Sequence, residues 1–334
     1  MNSDLILPDS RNLDRVPAPF QILCLSGGGY RGLYSASILE KLEERADGKP
    51  LWKVFDLIAG TSIGGILALG LAAGLKASRL RELFEEHGDR IFPRYYKIKG
   101  KSVLPRVHAG LINARYPQAG LRAAIEAILN EAGGPKVLSD LKTGVLISSV
   151  DVTDRAPRLF RSADLSCKTS LVDIALATSA APTYFPEHSV GDNIVVDGGL
   201  IANAPDMVAV LYALKIARLE DLRVLSIGTA GAEGAKAVRK AERRGALTGG
   251  KSVFFLTLDA QEQLSVDCTK NLLSEHYIRL DIIPSEDERS AVGLDLTNRK
   301  AAATLGAMAQ RTMNEKIPPQ LAQFREMLNR SWCP

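Results

Sequence analysis

Ser62 stands in Gly60-Thr61-Ser62-Ile63-Gly64, a G-x-S-x-G pattern whose neighbours are those a nucleophilic serine needs. A serine set on a sharp strand-to-helix turn tolerates little bulk two residues either side, because the chain folds back on itself there. The helix that follows would offer the N–H of Ile63, and the positive end of its dipole, to an attacked carbonyl. The chemistry such a residue performs is acyl transfer through a covalent intermediate.

An activated serine needs a base. The sequence holds four histidines, His87, His108, His188 and His276. The chain order serine, acid, histidine of α/β-hydrolases favours His276. Yet His276 opens a predicted strand, and His188 lies in the loop-like Pro186-Glu187-His188-Ser189. Asp197 is better placed. It ends the run Asn193-Ile194-Val195-Val196 just before Gly198-Gly199, so its carboxylate emerges at the C-terminal edge of a strand. Open α/β sheets assemble their sites at that edge. A structural turn aspartate is the competing reading.

Gly27-Gly28-Gly29-Tyr30-Arg31-Gly32 follows a predicted strand and opens a helix. Such a loop can aim successive backbone N–H groups at a developing oxyanion. Gly27, Gly29 and Gly32 also satisfy G-x-G-x-x-G, so a nucleotide-binding module is weighed beside the enzyme. That reading wants an acidic residue at the end of the next strand, about 20 residues on. Asp56 falls inside that strand, and its end is taken by the serine turn. A second decoy, Gly245 to Ser252, fits the Walker A expression. A phosphate loop hangs between a buried strand and a helix, whereas the charged stretch 235–244 precedes this one, so it reads as a linker.

The elements that must position these residues follow from periodicity. Phe20 to Ser26 is a short apolar run that reads as a buried strand, and Leu33 to Arg45 repeats Ile38, Leu39 and Leu42 at helical spacing. A second strand over Val54 to Ala59 leads into the serine turn and an apolar helix from Ile63 to Leu75. That helix is about thirteen residues, short of the roughly 20 that span a bilayer, and is expected to be buried. Strand, glycine turn and helix thus occur twice, which implies a mostly parallel sheet with helical crossovers. Further strands are expected at Gly144–Val152, Asn193–Val196, Arg223–Ile227 and Tyr277–Asp281, with helices at Leu171–Ser179, Pro205–Ala217 and Lys300–Glu315. Residues Phe84 to Pro117 mix basic and aromatic side chains with prolines and read as an insertion or lid.

Composition sets the outer limits. The chain has 334 residues, 46% hydrophobic and 24% charged, enough for one large α/β domain over 20–334 behind a flexible leader at 1–19. A net charge of +4 argues against a dedicated nucleic-acid binder. Four scattered cysteines without C-x-x-C spacing argue against structural zinc or a disulfide framework and fit a reducing cytosol. The polar, proline-bearing N-terminus has no apolar core of a signal peptide.

Taken together, G-G-G-Y-R-G at 27–32, G-T-S-I-G at 60–64 and D-G-G at 197–199 resemble the patatin-like phospholipase family, clearly over residues 20–210. The resemblance implies a three-layer α/β fold and a serine lipid acyl hydrolase that cleaves esters of membrane glycerophospholipids. It implies a Ser–Asp dyad without histidine: Ser62 attacks, Asp197 is the base, and Gly27, Gly28, Gly29 and Arg31 line the oxyanion hole. No metal and no cofactor are implied for the chemistry. An acyltransferase or thioesterase would use the same dyad. Stand-alone bacterial members of this size are similar to phospholipase effectors of anti-phage systems switched on by cyclic nucleotides. That implies a cyclic dinucleotide activator, a cytoplasmic protein meeting the membrane surface from the aqueous side, and room for homo-oligomers. The basic-aromatic residues Arg94, Tyr95, Tyr96, Lys97 and Lys99 could hold phosphates and stack a base, or touch anionic headgroups.

Overall fold

A computed structural model describes residues 19–93, 96–98, 101–103, 114–164, 166–231 and 246–329. Five strands run parallel in the order β10 (Tyr277–Leu280), β9 (Leu222–Ile227), β1 (Phe20–Leu25), β2 (Leu57–Thr61) and β5 (Gly144–Asp151). Every residue of β1 and β2 is buried, as strands covered on both faces require. Along β1 the side chains alternate between two cores. Leu23 and Leu25 join a large one built with α1 (Gly32–Arg45), α2 (Ile63–Ala73), α3 (Ala77–Ile91), α4 (Gln118–Glu131) and α5 (Leu171–Thr178). Ile22 and Cys24 face a smaller core with Ala209, Val210 and Ala213 of α7 (Asp206–Ala213), which follows the short helix α6 (Gly199–Ala202). Helices on both faces of the sheet give the three-layer α/β architecture.

The sheet changes direction at β5, and this decides where the site forms. One edge of β5 pairs antiparallel with β6 (Ala156–Arg161) over Leu146–Asp151. On the other edge, β2 pairs with Gly144 to Ser148, and β8 (Asn193–Asp197) takes over antiparallel from Ser149 to Asp151. Strands β2 and β8 therefore run toward each other along one edge and meet end to end: Thr61 lies opposite Ser148 and Asp197 opposite Ser149. The outer strand β7 (His188–Val190) closes on β8.

The expected helices and strands occur with ends shifted by a few residues, and three expectations change. Residues Phe84 to Ile91 are the second half of α3 and not part of an insertion; Leu80, Leu83, Phe84 and Ile91 form its buried stripe. Arg79 pairs with Glu82 and Arg81 with Glu85 on its outer face, so charge density that reads as irregular is the exposed side of a helix. After it, the hairpin β3 (Tyr96–Ile98) and β4 (Lys101–Val103) pairs antiparallel. The linker expected across the Walker A look-alike is also corrected. Gly245 lies outside the described residues, and from Ala246 the chain is in a 28-residue helix, α8 (Ala246–Leu273). Finally, His276 belongs to a short 3-10 turn, Ser274–His276, and β10 begins one residue later. Among the described residues, no helix is long and apolar enough to cross a membrane.

Candidate active site

Ser62 joins β2 to α2 with φ 55° and ψ −125°, a left-handed conformation that costs a non-glycine residue on the order of 1–3 kcal/mol. The surroundings impose it. A Cβ on Gly60 would strike the Gly64 carbonyl, and one on Gly64 would strike the Leu25 carbonyl. The two glycines of the motif thus let strand, turn and helix close on one another. Thr178, at the end of α5, accepts the Ser62 N–H at 2.8 Å through its hydroxyl, and Thr61 is fixed against Ser148 Oγ at 2.6 Å. These contacts lock the turn, leaving the Ser62 side chain half-buried and facing Asp197.

Ser62 Oγ donates to Asp197 Oδ2 at 2.7 Å. The other carboxyl oxygen, Oδ1, accepts the Gly199 N–H at 2.7 Å. Asp197 ends β8 as expected, but β8 is antiparallel to its neighbour. Its end therefore reaches the C-terminal edge of the parallel strands from outside and not as one of them. Burial pushes the Asp197 carboxyl up to about 6, against a partial lowering by the hydrogen bonds from Ser62 and Gly199. A carboxylate in that range is a competent base near neutrality.

The glycine loop lies alongside. The Gly27 N–H donates to Asn203 O at 2.9 Å and the Arg31 N–H to Gly28 O at 3.1 Å, so both are already satisfied. Among the described residues, the N–H groups of Gly28, Gly29 and Ile63 have no acceptor. Of the four expected residues Gly27, Gly28, Gly29 and Arg31, all line the cleft, and Gly28 and Gly29 are those whose N–H groups are unengaged, with Ile63 beside them. Gly29 has φ +56°, and any Cβ there would strike Leu294 O, which accepts the Tyr30 N–H at 2.8 Å. Arg31 lines the same cleft, its guanidinium 3.5 Å from Gly231 O.

Ser62, Asp197, Gly27–Gly29 and Arg31 open into one cleft. Ile63, Ile66, Phe84, Ile91, Phe92, Leu121 and Phe185 give it an apolar wall. This wall fits a hydrocarbon chain and offers little to a charged one.

None of the described histidines has a hydrogen bond to Ser62, whose Oγ is taken by Asp197. His188 is buried 3.1 Å from Asp173 Oδ1 and 3.3 Å from Gln118 Oε1. His276 precedes β10 and so sits at the opposite end of the sheet, beside Glu275. His87 is on α3, and His108 lies outside the described residues. So do Arg94, Tyr95 and Lys99, while Tyr96 and Lys97 are in the β3–β4 hairpin. Sequence reasoning missed Thr178, Asn203, Glu262 and Arg279, which brace the two loops; nothing in their spacing marks them.

The patatin-like phospholipase family matches residues 23–210. The chain belongs to the patatin-like phospholipase family. Its relatives include three bacterial proteins, each named a cGAMP-activated phospholipase. The one from Pseudomonas aeruginosa is 36% identical across 89% of this chain and 90% of its own length. Those from Vibrio cholerae and Escherichia coli are 29% and 30% identical, across 93% and 92% of this chain and 95% and 92% of their own lengths. As a patatin-like phospholipase, the chain is an ester hydrolase by class.

Proposed function

We propose that this protein cleaves acyl esters of membrane glycerophospholipids with Ser62 as nucleophile and Asp197 as base, and that a cyclic dinucleotide controls it. The observation that carries the chemistry is the 2.7 Å bond from Ser62 Oγ to an aspartate raised to about 6 by burial. Attack by Oγ on the ester carbonyl passes the hydroxyl proton to Asp197 Oδ2. The tetrahedral oxyanion takes hydrogen bonds from Gly28, Gly29 and Ile63. Its collapse expels the lysophospholipid alkoxide, which recovers the proton from Asp197 and leaves an acyl-serine. Water, deprotonated by Asp197, then releases the fatty acid. The residues just named suffice for these steps, so no metal or cofactor is assigned to the chemistry.

Control by a cyclic dinucleotide is supported by the shared name of the three bacterial relatives and by their near full-length match to this chain. The basic-aromatic run at 94–99 is the sequence feature offered for its phosphates and bases. The test measures fatty-acid release from phosphatidylethanolamine–phosphatidylglycerol vesicles, with and without cGAMP. A fluorophosphonate probe, read by mass spectrometry, reports on Ser62 in parallel. Labelling at Ser62 with cGAMP-dependent release is expected. Labelling without any fatty acid released would point instead to an acyltransferase or thioesterase using the same dyad, and an unchanged rate with cGAMP would remove the ligand control.

A further inference from the structure

Helix α8 grips the segment between Asp197 and α7 at successive points. Gln261 Nε2 donates to Gly199 O at 2.9 Å, Glu262 Oε2 accepts from Asn203 Nδ2 at 2.5 Å, and Ser265 Oγ donates to Ala204 O at 2.9 Å. The other Glu262 oxygen takes Arg279 at 2.7 Å. Arg279 in turn reaches Asp281 at 2.8 Å, Ser226 Oγ at 2.7 Å and Ser26 Oγ at 3.0 Å. Ser26 and Asn203 are the attachment points of the glycine loop: Ser26 precedes Gly27, and the Asn203 carbonyl accepts the Gly27 N–H.

The direction of one peptide gives this network its consequence. Gly27 O and the Gly28 N–H belong to the same planar, trans unit and point in opposite directions. Gly27 O accepts from Thr229 Oγ1 at 3.1 Å and lies 3.5 Å from Asn203 Nδ2. Holding that carbonyl on the protein side sends the Gly28 N–H into the cleft. A buried ion pair is a poor source of stability compared with apolar packing, but it fixes the orientation of a side-chain amide, which apolar packing does not.

We propose that Glu262 is a positioning residue for the oxyanion loop, acting through Asn203, so that α8 holds Gly28 and Gly199 in register with Ser62. The inference rests on the reading of Ser62, Asp197 and the glycine loop given above. Removing Glu262 frees the Asn203 amide to swing away and the Gly27–Gly28 peptide to rotate. Arg279 keeps Asp281, so the interior is not left with an isolated cation.

The experiment compares wild type, Glu262→Ala, Glu262→Gln, Asn203→Ala and the Glu262→Ala/Asn203→Ala double variant, with Ser62→Ala as baseline. The readouts are kcat and KM for p-nitrophenyl butyrate, the rate of Ser62 phosphonylation and thermal melting, all with and without cGAMP. Glu262→Ala is expected to lower kcat about 30- to 100-fold, the scale of an ångström misplacement, with KM within threefold. Phosphonylation slows by the same factor, because the phosphonyl oxygen uses the same hole. Glu262→Gln recovers part of the loss, since its amide oxygen still accepts from Asn203. The double variant is no slower than the slower single one, as expected for residues acting in series. A folded Glu262→Ala or Asn203→Ala with kcat within threefold of wild type overturns the proposal, as do losses that multiply in the double variant. If Glu262→Ala does not fold, Asn203→Ala decides by the same criterion. An active Ser62→Ala would instead overturn the assignment of the site itself, whatever the other variants do.

Discussion

Asp197 and Asp173 each accept a hydrogen bond from a serine hydroxyl, and their carboxyls behave in opposite ways. Asp197 takes Ser62 Oγ at 2.7 Å and is pushed up to about 6 by burial. Asp173 takes Ser170 Oγ at 2.6 Å. Burial raises it too, but hydrogen bonds from Ser170, His188 and Arg122, with the charge of His188, outweigh that and hold it below the usual carboxylate range. Ser170, Asp173 and His188 contain all three residue types of a hydrolase triad. They are nevertheless a helix cap, in which Ser170 Oγ accepts the Asp173 N–H at the start of α5. Residue types in contact therefore do not make a base. What separates the two clusters is the cations around Asp173, the backbone turn under Ser62 and the unengaged N–H groups of Gly28, Gly29 and Ile63 beside it.

The largest expected effect breaks the comparison at the serines. Ser62→Ala should lower ester hydrolysis by roughly 10⁴-fold or more, while Ser170→Ala keeps activity within about twofold and loses about 1 kcal/mol of stability as a missing cap. Steady-state rates and denaturant melts of both variants check this. Next, Asp197→Asn should cost about 10²- to 10⁴-fold in kcat, and Asp173→Asn almost nothing.

The pH dependence sharpens the contrast. Only ionised Asp197 accepts a proton, so kcat/KM should rise with pH to a plateau, with its midpoint at about 6. Asp173→Asn should leave that midpoint in place.

Stability should run the other way. The folded carboxyl of Asp197 binds its proton more tightly than an unfolded aspartate, ordinarily near 3.8. The stability this group contributes is present below pH 4 and is lost as pH rises through about 6. A difference of about two pKa units corresponds to at most about 3 kcal/mol. Asp197→Asn should thus be more stable than wild type at pH 8, by up to that amount, with the gain vanishing below pH 4. Asp173, with its lowered carboxyl, stabilises the fold above the unfolded value and loses that contribution on acidification, so Asp173→Asn should destabilise at pH 8. Melting curves across pH 3–8 distinguish the two signs. The smallest effect is expected at His276, far from the cleft: His276→Ala should leave kcat within about twofold.

Much of this was legible in the chain. The serine elbow is written in consecutive residues, because its glycines are demanded by contacts within seven residues or with the strand next door, as Gly60 and Gly64 show. The buried strands and α2 announce themselves by apolar runs with no polar interruption. Helix α8 did not, since its role comes from Gln261, Glu262 and Ser265, polar side chains whose partners lie about 60 residues away. The extent of α3 was likewise hidden by its charged outer face.

The sequence by itself determined the Ser62 turn and the order of the motifs, since local sterics and short-range periodicity decide those. Only the tertiary structure decided that buried Asp197 accepts from Ser62 Oγ, that among the described residues Gly28 and Gly29 are the loop N–H groups left free, and that His188 pairs with Asp173 instead of Ser62. Those outcomes depend on β2 and β8 meeting on one edge of β5, on burial without a cation, and on hydrogen bonds already made elsewhere. Each is a property of residues brought together from distant positions, and the proton affinity of a carboxyl is set by what surrounds it.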